Sequence, residues 1–278
     1  MVKRRPSTAN RPPPLRNRNL LLAALPADEY TRIARSLETV PLKLKSLVHR
    51  AGDPVEHVYF PRGGFFSMVT VLKDGRMVEV ATIGREGMVG IEAVQVYPVP
   101  SAAMVQGETD SCYRMKADAF RREMDRRGVF YEVLTHYTQA LVGFIVQSTA
   151  CNAVHSVEQR LARWLLMARD RMESDHFRLT QEFAAMMLGA SRPTVTIVAS
   201  TLQKAGLITY RRGNLTIVNG EGLEAASCEC YRATTDLLNA VMKRVRRRAV
   251  ARSPKRARRR RRFERSVEPG WRCTARAR

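Results

Sequence analysis

Acidic residues are absent from the N-terminal end of this chain and almost absent from its C-terminal end. Residues 1–18 hold six Lys or Arg and no Asp or Glu, while residues 243–265 set fourteen Lys or Arg against Glu264 alone. The formal net charge of +22 therefore lies in the two ends, and residues 19–242 carry only +1. A uniformly basic folded body is excluded.

Long hydrophobic runs are missing too. No stretch approaches the roughly 18 apolar residues that span a bilayer. The run Leu20–Leu25 follows a basic segment, but it meets Pro26, Asp28 and Glu29 too soon for a signal peptide. Cysteine is scarce: Cys112, Cys151, Cys228, Cys230 and Cys273 are scattered and odd in number. That is no disulfide framework, and a cytoplasmic location is expected. Catalytic signatures are lacking as well, with no phosphate loop, no HExxH and no GxSxG. The histidines (His49, His57, His136, His155, His176) show no ligand spacing. Cys228 and Cys230 have no second cysteine pair or histidine close by in sequence, so a structural or incidental role is expected for them. The expectation is a non-enzyme with no metal and no cofactor.

What remains divides by pattern. With 278 residues and 45% apolar composition, the chain can bury the cores of two ordinary domains. Residues 1–18, with Pro6, Pro12, Pro13 and Pro14, and residues 243–278, with the run Arg258–Arg262, are predicted to be disordered arms. Their cations suit a polyanion through counterion release, without sequence preference. Nucleic acid is favoured over a membrane surface because the body points to DNA on other grounds.

From about 40 to 116, short β-branched and aromatic runs alternate with turn signals such as Gly52-Asp53-Pro54, Gly63-Gly64 and Asp74-Gly75. That spacing predicts a small antiparallel sandwich or barrel. Acids and bases balance at fifteen each over 19–155, so this part is no DNA surface. Beyond 117 the period changes. Phe130, Leu134, Tyr137, Leu141, Phe144, Ser148 and Cys151 follow a 4-3 spacing, which marks a helical seam. The same spacing serves a helix lying on its own sheet, or one that pairs with a second copy. Dimerisation along Phe130, Leu134, Tyr137, Leu141, Phe144 and Ser148 is the expectation. A second amphipathic helix is predicted from about Val157 to Met172.

A helix-turn-helix follows from fixed offsets. Thr180 suits an N-cap, Gly189 a left-handed stop, and Ser191 the next cap, with Pro193 tolerated in the first turn. Close crossing needs small residues, met by Ala184 and Ala185, and apolar anchors six and nine residues past the glycine, met by Val195 and Val198. Residues 207–218 then form a hairpin wing with a Gly213-Asn214 turn and Arg211 and Arg212 at its tip. Residues 178–214 carry a local +4. The expected DNA contacts are Thr180, Ser191, Arg192, Thr194, Thr196, Lys204, Arg211 and Arg212, with the helix from Arg192 in the major groove.

A β-domain, a long helix and a winged helix-turn-helix in this order resemble the Crp/Fnr family of bacterial transcription regulators. The resemblance covers about 20–242 and is sharpest over Leu179–Ile208, where Gly189, Ser191, Arg192, Thr194 and Val195 match the recognition-helix pattern. EHVYFP at Glu56–Pro61 and GREGMVG at Gly84–Gly90 are similar to the family's β-roll. The implied fold is α+β. It comprises an antiparallel β-roll or jelly-roll domain (19–127), a dimerisation helix (128–155), a winged helix-turn-helix domain (156–220) and a C-terminal helix (221–242). The implied partners are double-stranded DNA with a palindromic site, a second copy of the chain, and RNA polymerase. The corresponding effector pocket falls on Gly90, Ile91, Ser101, Ile145 and Val146. Ile91 stands where cyclic-nucleotide-binding members place a glutamate, and Pro100 where they place an arginine, so cyclic AMP is not expected there. No cysteine precedes Cys112, against an N-terminal iron–sulfur cluster. Two alternatives stay open: a nonspecific, nucleoid-type coat driven by the tails, and a sensor of some other small ligand.

Overall fold

The structure, a computed structural model, describes residues 19–94, 100–107 and 109–251. The predicted N-terminal arm, and the tail from 252 onward, lie outside the described residues.

Two short helices, α1 (Leu20–Ala23) and α2 (Ala27–Ala34), open the folded part. The leucines that superficially suggested a leader are core residues, since Leu21 and Leu22 are buried against the β-domain. Among the described residues seven strands follow: β1 (Glu38–Leu42), β2 (Leu47–His49), β3 (His57–Pro61), β4 (Phe66–Val71), β5 (Met77–Ile83), β6 (Ser101–Val105) and β7 (Thr109–Lys116). They form two antiparallel sheets, ordered β1-β7-β3 and β2-β6-β4-β5. The register of β1 on β7 slips between Val40 and Leu42, where Pro41 has no N–H to give the ladder. Inward residues such as Val58, Phe60, Phe66 and Met115 fill the space between.

Helix α3 (Ala117–Asp125) leads to α4 (Val129–Val154), the longest helix. By length and composition α4 could cross a membrane, although no run of apolar residues announces it. Its 4-3 row is core. Phe130, Leu134, Tyr137, Leu141, Phe144, Ser148 and Cys151 are none of them more than 6% exposed within the single chain. The Phe130 ring lies 5.9 Å from that of Phe120 and 6.3 Å from that of Phe60. The Tyr137 hydroxyl donates to the Met88 carbonyl at 2.9 Å. The expected dimer seam is therefore corrected: this row is consumed within the chain, by the β-domain, α3 and the C-terminal helix. The opposite face stays open, with Val142, Val146 and Val154 at 54%, 62% and 74% exposure.

The second half begins with α5 (Val157–Met172), started by a capping box between Ser156 and Gln159. Then come β8 (His176–Arg178), α6 (Gln181–Leu188), α7 (Arg192–Lys204), β9 (Ile208–Arg211) and β10 (Asn214–Ile217). The single C-terminal helix expected over 221–242 is two: α8 (Gly220–Ala226) and α9 (Cys230–Ala251). Helix α9 runs nine residues into the segment predicted to be disordered, because Leu237, Leu238, Val241, Met242 and Val245 pack on the α4 core.

The halves share a second core. Phe65, Val69, Ala102 and Met104 of the β-domain pack with Trp164, Leu165 and Phe183, and the Phe65 and Trp164 rings meet edge to face at 6.0 Å. Two buried acids mark the seam. Glu86 pairs with Arg171 at 2.9 Å. Glu79 accepts from the Trp164 indole N–H at 3.1 Å and from the Ser67 hydroxyl. Burial pushes the Glu79 carboxyl up to about 7, against smaller opposing effects of Ser67, Trp164, Arg163 and Arg171. A raised folded-state value favours the protonated folded form. Its stabilising contribution is complete below the ordinary carboxylate range and is lost as pH rises through about 7. Glu79→Gln keeps an acceptor for Trp164 and removes the titration. Urea unfolding from about pH 5 to about pH 8 should show wild-type stability falling by up to about 3 kcal/mol more than the variant's. Equal slopes would mean that Glu79 is ionised throughout.

Candidate nucleic-acid interface

Local chemistry builds the helix pair α6 and α7. The Thr180 hydroxyl accepts the Phe183 N–H at 3.3 Å, and Glu182 sits in the electropositive first turn. The helix stops at Gly189, whose φ of 57° is left-handed. Ser191 then caps α7 by accepting the Thr194 N–H at 3.2 Å, with Pro193 in the first turn. Ala184 and Ala185 are buried at the crossing, Val195, Ala199 and Leu202 form the buried stripe of α7, and Val198 is partly buried beside them. From α5, Arg160 donates to the Leu188 carbonyl at 2.9 Å, meeting an otherwise unpaired acceptor at the end of α6.

The outward face of α7 carries Arg192, Thr196, Ile197, Ser200 and Lys204. Arg192 pairs with Glu182 at 2.9 Å, both side chains exposed, so the pair is weak and easily exchanged. The Thr196 hydroxyl donates to Gln181 Oε1 at 2.7 Å. Thr194, expected on the surface, is half-buried, and its hydroxyl lies 2.8 Å from that of Ser191. Those two residues set the helix start. Ile197, at 68% exposure, is an apolar side chain on a polar face, where it can meet a thymine methyl. Ile197 and Ser200 were absent from the expected contacts, yet four-residue spacing from Thr196 to Ser200 places them on one face.

The wing is three-stranded, ordered β8-β10-β9. Its turn is Arg212-Gly213, with φ of 48° and 78°, and not Gly213-Asn214: Asn214 pairs with Arg211 inside the ladder. Two consecutive positive φ values make the two-residue hairpin that matches strand twist. Arg211 and Arg212 are exposed at its tip. Gln203 of α7 accepts the Tyr210 N–H at 2.8 Å, and the Tyr210 hydroxyl donates to the Leu179 carbonyl at 2.9 Å. Helix and wing are thus tethered to each other at a fixed angle.

The expected effector residues are not brought together in the same way. Gly90, with φ of 86°, backs onto the His57 carbonyl, where a side chain would crowd. Ile91 opens a 3-10 turn, and Ser101 starts β6 opposite Thr70. Ile145 packs on the core while Val146 points out on the far face of α4. Residues 95–99, which join Ile91 to Ser101, lie outside the described residues. A cavity of about 460 Å³ lies elsewhere, between the halves, lined by Lys45, Phe65, Gln106, Trp164, Phe183 and Arg212. Sequence spacing left Cys228 and Cys230 without companions; folding brings Cys151 and His155 to them. In space the pair thus has a third cysteine and a histidine beside it.

Comparison with known proteins agrees with this geometry. Residues 159–226 match the Crp-like helix-turn-helix domain, and residues 39–127 match the cyclic nucleotide-binding domain. A crystal structure described as a putative transcriptional regulator of the Crp/Fnr family from Eubacterium rectale is similar, with a TM-score of 0.60 and 17% identity. It covers 74% of this chain and 96% of its own. FixK2 from Bradyrhizobium japonicum gives a TM-score of 0.59 at 16% identity, covering 69% of this chain and 98% of its own. TTHB099, a CRP-family regulator from Thermus thermophilus, gives 0.55 at 18% identity, covering 67% and 95%. No curated protein matches the chain in sequence.

The turn offers a direct check. At Gly189 a Cβ would lie 3.3 Å from Val78 of β5, and a left-handed L-residue carries about 1–2 kcal/mol of strain. Gly189→Ala should lower unfolding free energy in urea by at least that amount. A loss below about 0.5 kcal/mol would contradict the left-handed turn.

Proposed function

We propose that this chain, which belongs to the Crp/Fnr family of transcription regulators, acts as a homodimer that reads a two-fold symmetric DNA site through α7 and the wing. The observation that carries this reading is the outward face of α7, rigidly capped at Ser191 and flanked by Arg211 and Arg212. Arg192, Thr196, Ile197 and Ser200 face base edges; Lys204, Arg211 and Arg212 meet phosphates. The bases then supply specificity and the C-terminal cations supply affinity. RNA polymerase is the partner that such a promoter-bound dimer meets, in the cytoplasm.

Pairing uses the open face of α4. Gln139, Val142, Val146, Thr149 and Ala153 are exposed at spacings of three and four, a second heptad row opposite the buried one. Two copies joined there place two recognition helices about one helical turn of DNA apart, roughly 34 Å. Cyclic AMP is not the effector on this reading, because Ile91 and Pro100 leave ribose and phosphate without polar partners. The c-di-GMP responsiveness stated for the Xanthomonas campestris regulator CLP belongs to that protein.

Two experiments test the parts separately. Val146→Glu sets two like charges in a dry seam, costing about 3 kcal/mol or more, and should convert dimer to monomer in light scattering at low micromolar concentration. A variant that stays dimeric places the interface elsewhere. For recognition, binding to a selected site and a scrambled one is followed by fluorescence anisotropy at several salt concentrations. Arg192→Ala should narrow the preference between the two by about 1–3 kcal/mol with little change in salt slope. Removing residues 252–278 should flatten the slope by about 0.9 for each phosphate no longer neutralised and leave the preference intact. The opposite pattern would mean that the basic tail coats DNA nonspecifically and that α7 reads nothing.

A further inference from the structure

Three cysteines and a histidine that are distant in sequence converge where α4 gives way to α5. Cys151 lies on the last turn of α4 and His155 is its C-cap, four residues on and therefore on the same face. Cys228 and Cys230 bracket the connection from α8 to α9. Cys151 Sγ is 3.5 Å from Cys228 Sγ, and Cys230 Sγ is 3.6 Å from His155 Nδ1. All four donor atoms lie within 4.8 Å of one another. Around a tetrahedral zinc with bonds near 2.3 Å to sulfur and 2.0 Å to nitrogen, neighbouring donors stand about 3.5–3.8 Å apart. A cubane iron–sulfur cluster is too wide for this space.

We propose that Cys151, His155, Cys228 and Cys230 form a mononuclear zinc-type site that staples α9 to the end of α4. The surroundings suit such a centre. His155 Nε2 lies 3.2 Å from a Glu229 carboxylate oxygen; as an N–H donor there, it leaves the Nδ1 lone pair facing the thiols. Gln147 Nε2 donates to Cys230 Sγ at 3.0 Å. Three thiolates and a divalent cation sum to one negative charge, and a buried negative charge needs a cation beside it. Arg163 fills that place: it is 7% exposed, its charge acts on Cys151, and its Nε and Nη1 have no partner among the described residues. A buried guanidinium with unpaired N–H groups against a cysteine cluster is costly unless the cluster is anionic. The metal makes it so.

The site spans an exposed connection. Only His155 and Ser156 separate α4 from α5, so the same four ligands fix α9 and the junction between the two halves of the chain.

The test uses the untagged full-length chain. Purified with zinc in the growth medium, it should carry one equivalent of zinc by mass spectrometry. Reduced and stripped, it should bind Co²⁺ with intense tetrahedral d–d absorption and a thiolate-to-cobalt charge-transfer band, both bleached by Zn²⁺. Cys228→Ser and Cys230→Ser should lose these signals, and Cys112→Ser, buried in the β-domain, should keep them. Should the first two fail to fold, alkylation of the wild-type chain decides: zinc should protect Cys151, Cys228 and Cys230 together. Absence of the charge-transfer band with alkylation indifferent to zinc would overturn the proposal. So would full zinc content in Cys228→Ser, or a Cys151–Cys228 disulfide in protein purified under reducing, anaerobic conditions.

Discussion

Burial of one row of α4, from Phe130 to Phe144, holds the β-domain closed and orients the elements that follow. A 26-residue helix of this apolar character needs a cover, because helices in folded proteins draw most of their stability from packing an apolar face. Strand β3, helix α3 and the loop after β5 supply that cover along the first half, through Phe60, Phe120 and the Met88 carbonyl. Helix α9 supplies it along the second half, where Leu237 seats against Gly143. Any larger residue at 143 would meet the Leu237 side chain and force it to move. With the inner row spent in this way, only the outer row from Gln139 to Ala153 is left to meet another molecule.

The contact between the halves has a different physical character. Phe65 and Trp164 supply apolar area, but Glu86 with Arg171 and Glu79 with Trp164 place polar partners inside it. Buried ion pairs add little net stability, because desolvation offsets their attraction. Their effect is to penalise every other arrangement, since a slipped interface strands a charge. The halves are therefore held by oily surface and aligned by a few polar matches. Val78 on β5 adds a contact at the Gly189 turn itself, so the β-domain touches the helix-turn-helix at its bend.

How much of this was legible in the sequence depended on distance along the chain. The helix-turn-helix was legible because its constraints are local: Thr180, Gly189 and Ser191 act within four residues of themselves. The α4 row was legible as buried, but periodicity says only that a face is covered and never by what. Pairing with a second copy was the wrong cover for that row. Strand β8 is three residues long, too short to stand out as a strand before folding supplies β10 as its neighbour. The end of α9 was placed too early because the arginines after Lys243 outweighed the apolar spacing from Leu237 to Val245. The cysteine and histidine cluster joins residues about 75 apart in sequence, and no spacing rule reaches that far.

These constraints meet at one mechanical point, the junction between α4 and α5. Two residues, His155 and Ser156, connect α4, with its open outer face, to α5, the helix on which the helix-turn-helix packs. Ser156 is fixed by its capping box with Gln159, which sets the first turn of α5. Arg160, one residue further, reaches back to Asn152 Oδ1 at 3.3 Å and forward to the Leu188 carbonyl at the end of α6. One guanidinium thus ties the last turns of α4 and of α6 together. A small rotation at the junction moves α6 with it, and α7 follows because the Gly189 turn and the buried contacts of Ala184, Ala185 and Val195 leave little freedom between them. The orientation of the recognition helix is therefore set at two places, the β5 contact at its turn and the α4–α5 junction behind it. A ligand or metal acts on DNA binding to the extent that it moves either one.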